Sequence, residues 1–161
     1  MNIYHNTFVM AEGSRQADMA TFASSGAKYP RRVFNNVYLH LTRLPAYTGP
    51  DPAGDAIEDG NLFWAPGIEA KAAGALFQRF RASEKFAQSK KIHPPGSSTN
   101  SLVADPKFRG AGDYRLQEGS PAVDAGVALP EDWPDPLRKE DRGKPDVGAL
   151  PLGVEPFRVG R

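Results

Sequence analysis

The sequence contains no cysteine and no long hydrophobic run, and each absence excludes a class of protein. Without cysteine the chain forms no disulfide and has no thiol nucleophile or thiolate metal site. No apolar run approaches the roughly 20 residues that a helix needs to cross a bilayer, so no membrane span is expected. The first residues also lack the basic and then apolar stretches of a signal peptide. Either the protein stays inside the cell or its true start lies upstream, and the location is left open.

An excess of charge of either sign is also missing. Twenty Lys and Arg residues stand against 19 Asp and Glu residues, mixed along the chain, for a net charge of +1. A basic face for nucleic acid is therefore not expected. What the chain does have is 16 glycines and 15 prolines in 161 residues, which indicate short elements joined by frequent turns within one domain.

Three short β-rich segments repeat one pattern. They align without gaps at intervals of 30 and 25 residues, which lie within the range of solenoid repeats. The alternative is a sandwich in which three strands share the pattern by chance. The segments are Tyr4–Val9, Phe34–Leu39 and Asp59–Trp64, with a weaker fourth copy at Asn100–Ala104. Their aligned columns are Asn6, Asn36 and Asn61; Phe8, Tyr38 and Phe63; and Val9, Leu39 and Trp64.

These columns have a direct physical meaning in a solenoid, because each coil places like residues above one another at a strand spacing of about 4.8 Å. Stacked aromatic side chains then fill the interior, and the apolar column that contains Trp64 is expected to belong to the core. Asparagine side chains at a bend can donate and accept hydrogen bonds along their column. They also satisfy backbone groups that the bend leaves unpaired. The asparagine column is therefore predicted to be structural.

The segment between the third and fourth copies has a different character. Residues Ile68–Lys91 contain no proline and are rich in good helix formers. The pattern predicts one amphipathic helix laid against the coils, or a helix with a break near Ser83. The basic pair Lys90 and Lys91 suits a helix C-terminus. The predicted apolar stripe consists of Ile68, Ala72, Leu76 and Phe80.

Two groups of short segments carry a family resemblance. In the repeats they are Asn35–Asn36, Gly60–Trp64 and Ser101–Phe108, and in the tail they are Asp113–Leu116, Gly119–Gly126 and Pro145–Leu150. In order and spacing they resemble the last coils and the closing segments of bacterial right-handed parallel β-helix proteins of the pectate-lyase-like superfamily. The resemblance covers most of the chain.

That resemblance implies a fold and a broad function. The fold is mainly β, a right-handed parallel β-helix of three to four coils over residues 1–104, with the helix of about 68–91 inserted. Residues 105–161 form a loop-rich C-terminal cap and tail. The chain would be the C-terminal part of a protein that acts on or binds acidic polysaccharide, as a lyase or a glycoside hydrolase. Relatives place their Arg or Lys base with Ca²⁺, or their Asp clusters, on middle coils that are missing here, so no catalytic residue is transferred.

Two groups of charged residues are candidate sites. Carboxylates concentrate before the third repeat, and a hard cation needs several oxygens on a flexible loop, so a Ca²⁺ site is one candidate and a solvated acidic turn its alternative. These residues are Asp51, Asp55, Glu58 and Asp59. Guanidinium groups match the carboxylates of acidic sugars, so the second candidate binds substrate, with a solvated rim as its alternative. Its members are Arg31, Arg32 and His40.

Recognised catalytic patterns are missing. The three histidines show no metal-ligand spacing, and there is no Ser/His/Asp order or nucleophile elbow. Asp105, Asp124 and Asp146 stand beside or near proline or glycine and are interpreted as turn formers. Three hypotheses follow: a part of a polysaccharide-active protein, a non-catalytic binding or structural module, and a small self-contained enzyme.

The first repeat also predicts self-association. Ile3, Tyr4 and Phe8 belong to it, and an uncovered solenoid end exposes apolar side chains and unpaired strand edges. We therefore expect association through this N-terminal coil, most simply as a twofold dimer.

Overall fold

A computed structural model describes residues 1–10, 30–44, 46–52 and 55–156. Within these ranges the chain is mainly β, as predicted, and no described helix is both long and apolar enough to cross a membrane. The strands are β1 (Asn2–Tyr4), β2 (Thr7–Met10), β3 (Arg31–Phe34), β4 (Val37–His40), β5 (Ala56–Asp59), β6 (Leu62–Trp64), β7 (Leu102–Val103), β8 (Phe108–Gly110) and β9 (Asp113–Leu116). The helices are α1 (Ala70–Ala75), α2 (Gln78–Arg81) and α3 (Glu84–Ile92).

The first seven strands form two parallel sheets. One sheet has the order β1-β3-β5 and the other the order β2-β4-β6-β7, while β8 and β9 form a separate antiparallel hairpin. Each repeat contributes one strand to each parallel sheet, joined by a two-residue turn. The first turn residue is left-handed in all three repeats, with φ of 50° at His5, 55° at Asn35 and 62° at Gly60. Glycine, asparagine and histidine tolerate this conformation better than β-branched residues do.

The second turn residue is the predicted asparagine, and the three asparagines are hydrogen bonded to one another. The Asn6 backbone N–H and side-chain Nδ2 donate to Asn36 Oδ1 at 3.1 and 3.0 Å. Asn36 repeats the arrangement on Asn61 Oδ1 at 2.9 and 3.0 Å. Asn36 and Asn61 are fully buried, and Asn36 Nδ2 also reaches the carbonyls of Ile3 and Phe34. The column thus satisfies the polar groups of successive turns.

The predicted register of the fourth repeat is wrong by one residue. Leu62 pairs with Leu102, so Ser101 and not Asn100 occupies the column, where its Oγ accepts the Asn61 N–H at 3.1 Å. A hydroxyl oxygen is sufficient for this acceptor role. Asn100 instead donates its backbone N–H and its side-chain amide to the carboxylate of Asp59, both at 2.7 Å.

The aromatic column fills the interior, as predicted. Tyr38 stacks on Phe8 at 5.2 Å and on Phe63 at 5.0 Å between ring centroids. The neighbouring column does not join it, because successive strand residues point to opposite faces. Trp64 is therefore half-buried and packs with a second cluster on the other face. Trp64 thus packs against a core cluster, as expected, but this cluster lies on the other face of the sheet and the indole is only half-buried. The buried members of this second cluster are Val37, Leu62, Leu116, Ala122 and Val147.

The helical segment breaks twice. The prediction of one helix over about 68–91 is wrong, and its alternative, a break near Ser83, is confirmed. Ser83 caps α3, its Oγ accepting the Phe86 N–H at 3.3 Å. A further break separates α1 from α2, so the predicted stripe is not continuous and Ala72 is exposed. Phe77 and Phe80 are the residues that become buried, both edge-on to Tyr47 at 4.8 and 5.3 Å.

The tail after β9 crosses the side of the stacked repeats. Asn35 Oδ1 accepts the Val127 N–H and Asn35 Nδ2 donates to the Val127 carbonyl, both at 2.8 Å. Farther along, Trp133 stacks on Tyr4 at 5.3 Å. The segment predicted as a C-terminal cap therefore reaches the first repeat. The turn-forming role is confirmed at Asp105, whose Oδ1 accepts the Lys107 N–H at 2.9 Å. It is wrong for Asp124 and Asp146, which join distant segments: Asp124 Oδ1 accepts the Lys144 N–H and Asp146 Oδ1 accepts the Asp124 N–H, both at 2.8 Å.

Removing the central asparagine tests the column. Asn36→Ala is expected to lower the free energy of unfolding by roughly 1–3 kcal/mol, because buried donors and acceptors around it lose their partners. Urea unfolding followed by circular dichroism measures this change. Asn6→Ala, at the half-buried end of the column, is the matched control and should cost less. Equal midpoints for wild type and Asn36→Ala would show that the column does not stabilise the fold.

Candidate functional site

The structure separates the predicted substrate-binding residues. Arg31 and Arg32 begin β3 in one sheet, and His40 ends β4 in the other. Arg32 is held by Asp55, with an Nη2–Oδ1 distance of 3.1 Å and a bond from Nη1 to the Asp55 carbonyl at 2.7 Å. His40 is only 5% exposed, and burial lowers its pKa. Its Nε2 has no hydrogen-bond partner in the described part of the chain.

The predicted calcium-binding residues also lie in different environments. Asp55 pairs with Arg32, whereas Glu58 and Asp59 are buried neighbours on β5 that point to opposite faces of the sheet. Asp51 is half-buried just before β5. Across the described ranges no three His, Asp or Glu side chains are grouped closely enough to hold a metal ion.

Calcium binding by this segment stays a prediction. If Asp51, Asp55, Glu58 and Asp59 hold Ca²⁺, millimolar Ca²⁺ should raise the melting temperature by mass action relative to a chelator, and Mg²⁺ should not. Differential scanning fluorimetry measures the shift, and Asp55→Asn is the variant that should reduce it. Melting curves that coincide in calcium and in chelator would reject the site.

Glu58 is bound by residues that lie far from it in the sequence. Tyr47 OH and Ser98 Oγ both donate to Glu58 Oε1, the latter at 3.0 Å. The carboxyl is 3% exposed, and burial raises its pKa from 4.5 to about 7, against the two hydrogen bonds, which favour the ionised form. The Ser98 N–H also donates to the Glu58 carbonyl at 2.7 Å. Glu58 thus anchors the chain before β7 to the free edge of β5.

The raised pKa of Glu58 predicts a pH-dependent stability. The folded protein keeps a proton that the unfolded chain releases above about pH 4.5, so this contribution is complete below pH 4.5 and is lost as pH rises through about 7. Glu58→Gln should not show the loss. Its stability relative to wild type should rise by on the order of 3 kcal/mol between pH 5 and pH 8 in urea unfolding.

The exposed Glu118 provides a matched control for this substitution. Glu118→Gln should follow the wild-type pH profile, because its carboxylate is not buried. A Glu58→Gln profile that runs parallel to wild type from pH 5 to pH 8 would show that the Glu58 carboxyl titrates normally.

Asp59 collects donors on the other face of β5. Its oxygens accept the Gly60 N–H at 3.0 Å and His93 Nε2 at 3.1 Å, in addition to both donors of Asn100. The His93 ring in turn lies 5.7 Å from the Phe34 ring. With all these donors the buried carboxylate is satisfied, so it joins the end of α3 to the third turn rather than facing a cavity.

Two clefts flank His5 where the tail crosses the first turn. They measure about 180 and 230 Å³, and both are lined by His5, Asp135 and Asp141. His5 Nε2 lies 3.8 Å from Asp135 Oδ2. Burial lowers the pKa of His5 and raises the pKa of Asp141. These contacts hold the tail to the first repeat.

A larger groove lies between the helices and the last strands of the four-stranded sheet. It measures about 540 Å³, and the half-buried indole of Trp64 forms part of its wall. Arg81 provides the only charge among its described lining residues. The guanidinium lies 5.1 Å from the Phe77 ring centroid and its Nη2 donates to the Ser98 carbonyl at 2.8 Å. The remaining walls are Ile68, Ala70, Ala73, Gly74, Ser101, Leu102 and Val103.

The helices beside this groove are strongly basic. Between residues 68 and 92 six Lys or Arg residues stand against two Glu residues, although the whole chain carries only +1. All eight side chains are exposed, and no carboxylate of the described chain lies within 4 Å of any of the six cations. The six are Lys71, Arg79, Arg81, Lys85, Lys90 and Lys91. We call these six side chains together the basic helical face; of the six, Arg81 lines the groove.

Counting charge over the whole chain concealed this surface. A count restricted to the predicted helix would have found it, since acidic residues elsewhere compensate the excess. Trp64 was assigned to the core rather than to a ligand surface for a different reason: its column is apolar in every repeat, which does not distinguish the interior from the face that borders the groove.

Comparison with known proteins assigns no family to this chain. No protein-family model matches it, and no curated protein matches it. The functional argument therefore depends on the geometry of the groove and of the basic helical face.

Proposed function

We propose that the chain is a right-handed parallel β-helix module that binds an acidic polysaccharide of the uronate type, without a complete active site of its own. The stacked parallel strands and the hydrogen-bonded asparagines support the architecture. The ligand is proposed to lie in the Trp64 groove and along the basic helical face. The observation that carries the proposal is a half-buried indole in a groove that Arg81 also lines, next to helices whose six exposed cations have no carboxylate partner in the described chain.

Trp64 supplies the contact surface for a sugar ring. An indole is a large, rigid apolar face with one hydrogen-bond donor, which suits ligands that are apolar on one side and polar on the other. Sugar rings have this character, because their C–H groups lie on the ring faces and their hydroxyls at the rim. The groove that the indole borders measures about 540 Å³.

Charge selects an acidic polymer. The described groove lining contains Arg81 and no carboxylate, and the adjoining helices add five further cations. Such a surface attracts a polyanion over a distance of about 8–10 Å at physiological salt. A guanidinium also matches the planar carboxylate of a uronate with paired hydrogen bonds. A neutral glucan would gain the stacking contact alone.

The groove is better suited to binding than to catalysis. Apart from Arg81, the polar side chains of its described lining reduce to the Ser101 hydroxyl and the Trp64 indole N–H. General acid–base cleavage needs a positioned group that exchanges a proton near neutral pH. Of the groups with shifted pKa values, none of Glu58, His5, Asp141 and His40 lines this groove.

Tryptophan fluorescence provides the test. The chain has two tryptophans, so Trp133→Phe leaves Trp64 as the single reporter. Uronate oligosaccharides should change the Trp64 emission, and Trp64→Ala should weaken binding about tenfold in calorimetry, which corresponds to about 1.4 kcal/mol. Replacing the cations Arg79 and Lys85 together with glutamine should lower affinity and its dependence on salt.

The matched controls use neutral ligands and a distant cation. A neutral oligosaccharide of equal length should bind far more weakly, and Lys139→Gln, an exposed change on the tail, should bind as wild type. Equal binding of neutral and acidic sugars, or an unaffected Trp64→Ala variant, would contradict the proposal. Single-stranded DNA that binds as tightly as the uronate would replace it with binding of polyanions in general.

A further inference from the structure

The asparagine column has a direction. Each member donates its backbone N–H to the side-chain oxygen of the next, from Asn6 through Asn36 and Asn61 to Ser101. Asn36 Oδ1 and Asn61 Oδ1 each accept two such hydrogen bonds. The column therefore ends in an acceptor on one side and in a donor on the other.

Both ends of the column lack a partner in the described structure. No described residue donates a hydrogen bond to Asn6 Oδ1, although the equivalent oxygens of the next two repeats accept two each. At the opposite end no described residue accepts the Ser101 backbone N–H, even though Ser101 is only 7% exposed. A nearly buried N–H without an acceptor costs free energy unless another group reaches it.

The strand edges match the two ends of the column. In the four-stranded sheet, β2 and β7 are the outermost described strands. Leu102 and Ala104 direct their N–H groups to β6, so the Val103 N–H points away from it. The carbonyls of Asn6 and Met10 accept N–H groups from the second repeat. By the same alternation the backbone N–H and carbonyl of Val9 on β2 point away from β4. The two edges thus have the complementary pattern that joins neighbouring strands within the sheet.

Apolar burial is also incomplete at the first repeat. Ile3 and Met10 are half-buried, whereas their register partners Val33 and His40 are each 5% exposed. A further repeat stacked on this side would bury Ile3 and Met10 to the extent that Val33 and His40 are buried between two repeats.

We infer that a second copy of the chain supplies this repeat, with β7 of one copy paired to β2 of the next and Ser101 N–H donating to Asn6 Oδ1. The arrangement is head-to-tail and replaces the twofold dimer expected from the sequence. At a twofold contact between first repeats, two Asn6 acceptors would face each other without a donor. A heterologous contact of this kind continues into chains or closes into rings.

The inference is independent of the saccharide proposal. Leu102 and Val103 line the Trp64 groove as well as the proposed contact, so association is measured in the absence of saccharide. Failure of one proposal then leaves the other to be judged by its own experiment.

Blocking each end separately distinguishes the possible contacts. Val9→Pro removes an outward N–H of β2, and Val103→Pro removes the corresponding N–H of β7. Sedimentation velocity at micromolar concentration should show assemblies for wild type and monomers for each variant alone. An equimolar mixture of the two variants should form a dimer, because each contributes one intact end. High salt should not dissolve these species, since the contact does not depend on charge.

Other outcomes overturn the inference. A Val103→Pro variant that still dimerises alone while Val9→Pro does not would establish the twofold contact between first repeats. A wild-type monomer at all concentrations would exclude stacking of copies. If a proline variant loses its circular dichroism spectrum, Val9→Lys and Leu102→Lys take its place, because each puts a charge at a half-buried position on the same edge strand. These variants should also be monomeric alone and form a dimer when mixed.

Discussion

Hydrogen bonding at the turns is the constraint on which the remainder of the structure depends. A chain that passes from one parallel sheet to the other through a two-residue turn leaves backbone groups without strand partners, and water cannot reach them once repeats are stacked. Asn36 solves this problem within the protein, because its amide reaches the carbonyls of Ile3 and Phe34 while it binds the next asparagine. The same bonds fix the register, and a shift of one residue would send the aromatic column to the outside.

The residue before each asparagine shapes the corner of the coil along which the tail runs. His5, Asn35 and Gly60 share a left-handed backbone, so they form a corner that the tail can follow. At Gly60 a side chain would collide with Asn35 Oδ1, since a Cβ there would lie 2.5 Å from that oxygen. Asn35 uses the freed space to bind both backbone groups of Val127. The tail is thereby held at the second turn and extends to the first.

Buried acids determine where the basic helical face lies. Glu58 and Asp59 point to opposite sides of β5, and each binds the stretch of chain between α3 and β7. This stretch covers the edge of β5 and fixes the point at which the helices return to the sheet. The helices then stand beside Trp64, so the proposed ligand surface depends on two carboxylates that do not touch the ligand. The cost is a carboxyl group whose ionised form is disfavoured, as the raised pKa of Glu58 shows.

The sequence by itself determined the features that repeat. An asparagine and an aromatic residue at constant spacing predicted stacked β-strands, and the polar break at Ser83 predicted a helix end, because periodicity and capping are local properties. Tertiary structure decided the rest. Serine replaced asparagine at the fourth position, since only an acceptor oxygen was needed there, and Asn100 was thereby left to bind Asp59. Glu58 and Asp59 lie in a buried strand and not in the predicted acidic loop, because partners 40 and 41 residues away bind and bury them. The groove at Trp64 arises only when the helices meet β7, an arrangement set by long-range packing that no local pattern encodes.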